Sequence, residues 1–195
     1  MSDYPSPELY ETNLEQDQKG PGAFRILLEV AQTLAIAVVL YFLIDFVIAR
    51  VRVENISMLP TLQPGEFVLV NKMAYQFGDF ERGDIVVFHY SPQEDYIKRV
   101  IGVPGDRIEV ENGHVKVNGQ ILNEPYIAAA PQYAGSWEVP QGSLFVLGDN
   151  RNQSSDSHRW GFVFEESVVG EALVVYWPLN EVKLLSQPMT VKANN

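Results

Sequence analysis

Residues 107–122, RIEVENGHVKVNGQIL, decide the fold class. Asn112-Gly113 and Asn118-Gly119 each separate short runs rich in Val and Ile, and Asn-Gly in that setting is the typical signal of a tight β-hairpin. No segment after residue 50 keeps a helical period of apolar residues. We therefore predict a mostly β domain of antiparallel sheet. Further short β-type runs, broken by Gly and Pro, lie at 67–75, 84–90, 96–103, 143–149 and 167–178.

An apolar segment precedes this β-rich region. Between Arg25 and Arg50 lie 24 residues, of which only Glu29 and Asp45 are charged. As a helix they would span about 36 Å, enough for a hydrocarbon core of about 30 Å. We predict a transmembrane helix over 25–49. A cleaved signal peptide is disfavoured by the acidic leader and the lack of a small-x-small site, and a buried core helix by the self-contained β pattern that follows.

Three other regions complete the predicted organisation. Residues 1–24 are acidic, contain Pro and Gly and lack an apolar period, so we predict a disordered tail. Residues 50–195 form the predicted β-rich domain. Within it, we predict that residues 123–142 form an irregular surface excursion. Basic residues flank both ends of the apolar segment equally, so charge does not set its orientation in a membrane.

Composition excludes several classes of function. The 195 residues include 14 Lys+Arg and 25 Asp+Glu, and a formal net charge of −11 argues against nonspecific nucleic-acid binding. There is no cysteine, which excludes disulfides, Cys-ligated zinc and a Cys nucleophile. The content of Val, Ile, Phe and Tyr supports a real core, so disorder of the whole chain is also excluded.

Two segments suggest a nucleophile and a base. Ser57 follows a β-type run and precedes Pro60, where a serine is either a nucleophile or a turn residue that caps its own backbone. In YIKRVIG (96–102), strand alternation puts Lys98 and Arg99 on opposite faces, so one cation points into apolar surroundings. Burial lowers the pKa of a lysine and makes it a general base, whereas an edge-strand lysine stays in water.

A third segment, GDNRNQSSDSHRWG (148–161), is a polar loop within an apolar β chain. It could bind a metal through Asp149, Asp156 and His158, but its spacing matches no calcium loop. It could equally be a hydrogen-bonded scaffold that orients other residues, or a solvated loop.

Together the segments resemble a known family. SMLPTL (57–62), GDIVVF (83–88), YIKRVIGVPGD (96–106) and the 148–161 loop occur in the order and spacing of the type I signal peptidases, which use a Ser–Lys dyad. The resemblance covers roughly residues 25–180. The Asp-Ser-His-x-Trp-Gly end of the loop is most similar to the cyanobacterial and thylakoidal branch.

The resemblance implies that Ser57 is the nucleophile and Lys98 the general base of a serine endopeptidase that uses no cofactor or metal. The lysine amine takes the serine proton, then protonates the leaving amine, and water hydrolyses the acyl-enzyme. A Ser–His–Asp triad would have to recruit one of three histidines, and His158 beside Asp156 is the one serious rival to Lys98.

Further roles follow from the same resemblance. Ser154 is expected to hydrogen-bond Lys98 and fix its position, and the Ser57 amide is expected to be one oxyanion donor. Asn55, where many bacterial members carry a serine, is the candidate for the second donor.

Two ion pairs are also implied. Arg99 is expected to pair with Asp149 as a support. Asp156 is expected to pair with His158, where bacterial relatives often have an arginine. That pair would be weaker or pH-dependent, and Arg159 could compensate.

By resemblance, the substrates are signal peptides of exported preproteins, cut after small-x-small sites such as Ala-x-Ala and bound extended along an edge strand. The anchor would confine enzyme and substrate to one membrane, with lipid as a second partner. The tail would be cytoplasmic and the catalytic domain extracytoplasmic, in the plasma or thylakoid membrane. The shallow substrate pockets would be built from Met58, Leu62, Val87, Tyr96 and Ile97.

Two alternative functions stay open. One is a related Ser–Lys protease that cleaves itself or a regulator, against which the anchor and the 148–161 loop count. The other is an inactive membrane-anchored β module, against which intact Ser57, Lys98 and Ser154 count. The sequence does not encode which preproteins are cut or the oligomeric state.

Overall fold

The structure is a computed structural model that describes residues 22–185 and 190–191, the last two by their backbone alone. Helix α1 spans Ala23–Val47, and none of its side chains is buried. Its mean hydropathy of 2.2 and its 25 residues make it long and apolar enough to cross a membrane. The predicted apolar helix is confirmed, but it ends before residue 49 because Ile48 already belongs to a strand. Residues 1–21 of the predicted tail lie outside the described residues.

After α1 the regular elements are mainly strands, and the longest helices in the described part of this region have a single turn. The helices are α2 (Ala74–Phe77) and α3 (Ser157–Trp160), and 3₁₀ turns lie at Glu165–Ser167 and Leu179–Glu181. The strands are β1 (Ile48–Arg52), β2 (Phe67–Asn71), β3 (Ile85–Ser91), β4 (Glu94–Gly102), β5 (Arg107–Glu111), β6 (His114–Val117), β7 (Gln120–Asn123), β8 (Gly135–Glu138), β9 (Ser143–Leu147), β10 (Val163–Phe164), β11 (Val168–Trp177), β12 (Lys183–Leu184) and β13 (Thr190–Val191).

The strands form two antiparallel sheets. The larger has the order β1-β2-β11-β3-β4-β9-β10, with β12 paired to β11, and the smaller has the order β13-β7-β6-β5-β8. Asn112 and Asn118 have φ angles of 50° and 52°, and both Asn-Gly pairs form two-residue hairpin turns, as Glu111 opposite His114 shows for the first. The left-handed backbone of such turns suits Asn and Gly. The predicted antiparallel β fold is confirmed.

Two parts of the pattern differ from prediction. The end of the run 67–75 leaves the sheet and forms α2. The 123–142 segment, expected to be irregular, contains β8, which pairs with β5 from Arg107 opposite Glu138 to Val110 opposite Gly135. This strand is four residues long and lies between Pro- and Gly-rich stretches, so its own sequence carries little β signal.

A buried cluster joins the two sheets. Ile101, Phe145 and Leu147 of the larger sheet pack against Ile108 and Val110 of the smaller one. The sheets approach closely at Gly102, where a Cβ would lie 2.6 Å from Ile108 Cδ1. Because β4 and β9 both contribute to this cluster, the packing between the sheets also holds the segments that follow Lys98 and precede Gly148.

We predict that Leu147→Ala lowers the free energy of unfolding by about 2–5 kcal/mol, because it removes a fully buried side chain from this cluster. Urea unfolding of the full chain in mild detergent, followed by tryptophan fluorescence, measures the change. The matched control is Leu184→Ala, whose side chain is 78% exposed, and we expect it to change the free energy by under about 0.5 kcal/mol. Equal losses in both variants would contradict the packing described here.

Candidate active site

Ser57 and Lys98 meet inside the domain. Lys98 Nζ lies 2.8 Å from Ser57 Oγ, although the two residues are 41 positions apart in the chain. Both are buried: Ser57 is 8% exposed and Lys98 4%. A hydroxyl in direct hydrogen bonding with an amine, shielded from bulk water, is the geometry of a nucleophile beside its base.

The surroundings of Lys98 change its protonation. Burial lowers the pKa of its amine to about 8, against the opposing pull of the Asp156 and Asp149 carboxylates. Near pH 8 about half of the amines are therefore neutral and able to accept a proton. Neither carboxylate makes a hydrogen bond or ion pair with Lys98, whose Nζ instead donates to Ile97 O at 3.0 Å.

Strand β4 positions the two neighbouring cations. Lys98 Nζ lies 5.1 Å from the ring centroid of Tyr96, two residues earlier on the same face. Arg99 points to the opposite face, where Nε and Nη2 bind the carboxylate of Asp149 at 2.8 and 2.7 Å. The predicted alternation along β4 is present, and its two faces give the two cations different surroundings.

The Arg99–Asp149 pair is formed and fully buried. The two side chains are 1% and 0% exposed. Arg99 also donates to Gly83 O at 2.9 Å, and Thr61 Oγ1 donates to the same carboxylate. The guanidinium stacks over the Tyr126 ring, 4.0 Å from its centroid. An ion pair with this many partners is costly to break from one side, by about 3–5 kcal/mol.

Ser154 differs from the expectation. Its hydroxyl is buried and has no hydrogen-bond partner among the described residues, which include Lys98, so the predicted hydrogen bond to Lys98 is not formed. Ser154 nonetheless lies against the nucleophile segment: a Cβ at Gly148 would be 2.3 Å from Ser154 Oγ and 2.4 Å from Ser57 O. Glycine at 148 is therefore what allows the loop to approach Ser57 this closely.

Asp156 and His158 hold the same loop. Asp156 accepts a hydrogen bond from Gly148 N at 2.9 Å and contacts His158 Nδ1. The other ring nitrogen, Nε2, accepts from Arg159 Nε at 3.2 Å, and the ring stacks on Tyr133 with centroids 3.9 Å apart. Both nitrogens of the rival base are thus engaged elsewhere, while Lys98 contacts the Ser57 hydroxyl.

The metal-binding alternative finds no support in the loop. Asp149 is bound on both oxygens by Arg99, and Asp156 is bound by Gly148 and His158. Between residues 22 and 185, no three His, Cys, Asp or Glu side chains are grouped so that they could hold a metal ion.

A cleft of about 410 Å³ opens at Ser57, between residues 51–57 on one side and 95–98 on the other. Strand β4 pairs with β9 only from Arg99 onward, so residues 94–98 present one backbone edge without a strand partner among the described residues. An extended peptide fits such an edge. Asn55 lines this cleft and is exposed.

The predicted pocket residues divide into two groups. Val87, Tyr96 and Ile97 line the cleft. Met58 and Leu62 do not: both are 0% exposed and pack in the core with Val53, Val68 and Val70. Leu62 N donates to Met58 O at 2.9 Å within the turn that carries both residues.

Sequence reasoning missed the residues that brace the loop. Arg151 is buried, donates to Gly148 O at 3.1 Å and pairs with Glu124 at 2.7 Å. Asn152 Nδ2 donates to Ala130 O at 3.0 Å, and Asn152 Oδ1 accepts from Gln132 N at 2.9 Å. The 124–134 stretch is irregular and largely exposed, and it also braces the 148–158 loop. The available signal in the sequence was the opposite charge of Glu124 and Arg151, together with the side-chain amide of Asn152.

Comparisons with known proteins all point to one family. The family model described as "Signal peptidase, peptidase S26" matches residues 27–177. A signal peptidase I from Leptolyngbya laminosa is 41% identical over 96% of this chain and 97% of its own length. A probable signal peptidase I-2 from Synechocystis sp. is 44% identical over 82% of this chain and 77% of its own, and a signal peptidase I from Bacillus caldolyticus is 42% identical over 70% and 83%. The chain belongs to the signal peptidase I family of serine endopeptidases.

Proposed function

We propose that this member of the family is a membrane-anchored endopeptidase that removes signal peptides from exported preproteins, with Ser57 as nucleophile and Lys98 as general base. The observation that carries the proposal is the buried 2.8 Å contact between Lys98 Nζ and Ser57 Oγ. An inactive β module would have no need to bury a lysine without a carboxylate partner, since burial of an unpaired ammonium is costly.

The reaction follows from this contact. Neutral Lys98 takes the Ser57 hydroxyl proton while Oγ attacks the carbonyl carbon of the scissile bond. The Lys98 ammonium then gives the proton to the leaving amine as the C–N bond breaks. A water molecule, deprotonated by the same amine, attacks the ester, and the Lys98 ammonium returns the proton to Ser57 Oγ as the C–O bond breaks.

The negative oxygen of the tetrahedral intermediate needs donors. The backbone amide of Ser57 is the proposed first donor and the side-chain amide of Asn55 the second; removing one such donor costs about 3 kcal/mol in other enzymes. Asn55 lines the cleft beside Ser57, which supports this role.

The cleft supports a preference for small side chains. A substrate strand between residues 53–57 and the free edge of β4 would meet Val87, Tyr96 and Ile97 on its pocket side. Alternate side chains of an extended peptide face the same way, so two positions separated by one residue are restricted to small groups such as Ala. This is the proposed Ala-x-Ala site.

Helix α1 is the proposed anchor, and its length is sufficient for one crossing. Preproteins carry their signal peptides in the same membrane, so the anchor raises the effective concentration of substrate at the cleft. The proposed topology has a cytoplasmic tail and an extracytoplasmic catalytic domain, in the plasma or thylakoid membrane.

We expect Ser57→Ala, Lys98→Ala and Lys98→Arg each to abolish cleavage, because the first lacks the nucleophile, the second the base, and the guanidinium of the third does not deprotonate. The assay mixes full-length protein in mild detergent with a preprotein that carries an Ala-x-Ala site, and the new N-terminus is sequenced.

Lys116→Ala, at a strand lysine paired with Glu111, is the matched control and should cleave like the wild type. Cleavage by Lys98→Ala at more than a small residual rate would overturn the dyad. A product N-terminus elsewhere than after the second Ala would overturn the proposed specificity.

We also expect kcat/KM to rise about tenfold per pH unit up to pH about 8 and then level off, because only the neutral amine of Lys98 accepts the serine proton. Thermal unfolding over the same range shows whether the domain stays folded. His158→Gln should keep the rise, with at most a shift to higher pH, because Asp156 loses the partner that competes with Lys98. Loss of the rise in His158→Gln would instead identify His158 as the base.

A further inference from the structure

Asn150 connects the 148–158 loop to the nucleophile segment through two hydrogen bonds. Its backbone N–H donates to Ser57 O at 3.0 Å. Its side-chain amide donates to Ile56 O at 3.1 Å, across 94 positions in the chain. Both bonds go to backbone oxygens on either side of the Ser57 amide, so Asn150 holds the backbone of the nucleophile rather than its side chain.

The peptide between Ile56 and Ser57 has little other support. Ile56 is 46% exposed and Asn55 before it is exposed as well, so packing holds this peptide only from the side of Ser57, which is 8% exposed. Ile56 O also accepts from Leu59 N at 3.2 Å, but that bond lies within the same turn and moves with it. The Asn150 side chain therefore supplies a hydrogen bond to the Ile56 carbonyl from a segment that is distant in the chain.

Fixing one edge of a peptide fixes the other. The peptide unit is planar and trans, so the Ile56 carbonyl and the Ser57 N–H lie in one plane and point in opposite directions. A hydrogen bond weakens steeply as its angle departs from linearity, so rotation of this plane would misdirect the Ser57 N–H.

We propose that Asn150 is a positioning residue for catalysis: its side-chain amide sets the plane of the Ile56–Ser57 peptide and so aims the Ser57 N–H at the negative oxygen of the tetrahedral intermediate. The inference rests on the proposed function, in which that N–H is an oxyanion donor. It assigns to the loop a second task beyond bracing, which is the orientation of a group that acts in the transition state.

The test compares Asn150→Asp and Asn150→Ala with the wild type in full-length protein, above the pH of the Lys98 titration. Asn150→Asp keeps the shape and the backbone N–H but loses the side-chain donor, and Asn150→Ala loses the donor without adding charge. The matched control is Asn180→Asp, because Asn180 is exposed and its Nδ2 donates to Glu181 Oε1 at 3.2 Å, outside the site.

We expect kcat to fall about 10- to 100-fold in both Asn150 variants while KM changes less than about twofold, since a misdirected donor costs less than the 10²- to 10³-fold of a lost one. A peptide boronic acid, which forms a tetrahedral adduct with Ser57, should bind weaker by a similar factor. A product peptide that ends in Ala-x-Ala should bind both Asn150 variants as tightly as it binds the wild type, and Asn180→Asp should retain kcat.

Wild-type kcat in both Asn150 variants would overturn the inference. A parallel loss of kcat, product-peptide affinity and Tm would also overturn it, because that pattern belongs to a structural role. If the wild type cleaves no preprotein, the proposed function itself fails. If the wild type cleaves and both Asn150 variants cleave equally well, only the role of Asn150 fails.

Discussion

The burial of the Lys98 amine is the constraint on which the arrangement of the site depends. An ammonium this shielded would normally be stabilised by a carboxylate, and two carboxylates are close enough to raise its pKa. Each of them has another partner, Arg99 for Asp149 and His158 for Asp156. Desolvation therefore outweighs attraction, and the net shift of the lysine pKa is downward.

Strand β4 produces this balance with two consecutive cations. Lys98 and Arg99 face opposite sides of the sheet, and only Arg99 meets a carboxylate in bidentate geometry. The same ion pair fixes Asp149, the second residue of the loop that contacts Ser57 O. One pair thus neutralises a charge near the base and locates the loop beside the nucleophile.

Much of the fold could be predicted from sequence because its signals are local. The Asn-Gly turns and the β-type runs at 84–90 and 96–103 each carry their own pattern. Strand β8 could not be predicted, since it exists only through pairing with β5. For the same reason, the burial of Met58 and Leu62 and the lack of a partner for the Ser154 hydroxyl depend on tertiary packing. The Glu124–Arg151 brace joins segments with no common motif.

The long-range contacts of the site also bear on when the chain becomes active during synthesis. Thr61 and Asp149 are 88 positions apart, and Arg99 and Asp149 are 50 apart. A nascent chain that has not yet released residues 148–158 from the ribosome lacks the partner of Arg99 and the loop that holds Ser57. The proposed protease therefore assembles only after residues 148–158 have left the ribosome, and chains truncated before this loop would be inert rather than misdirected.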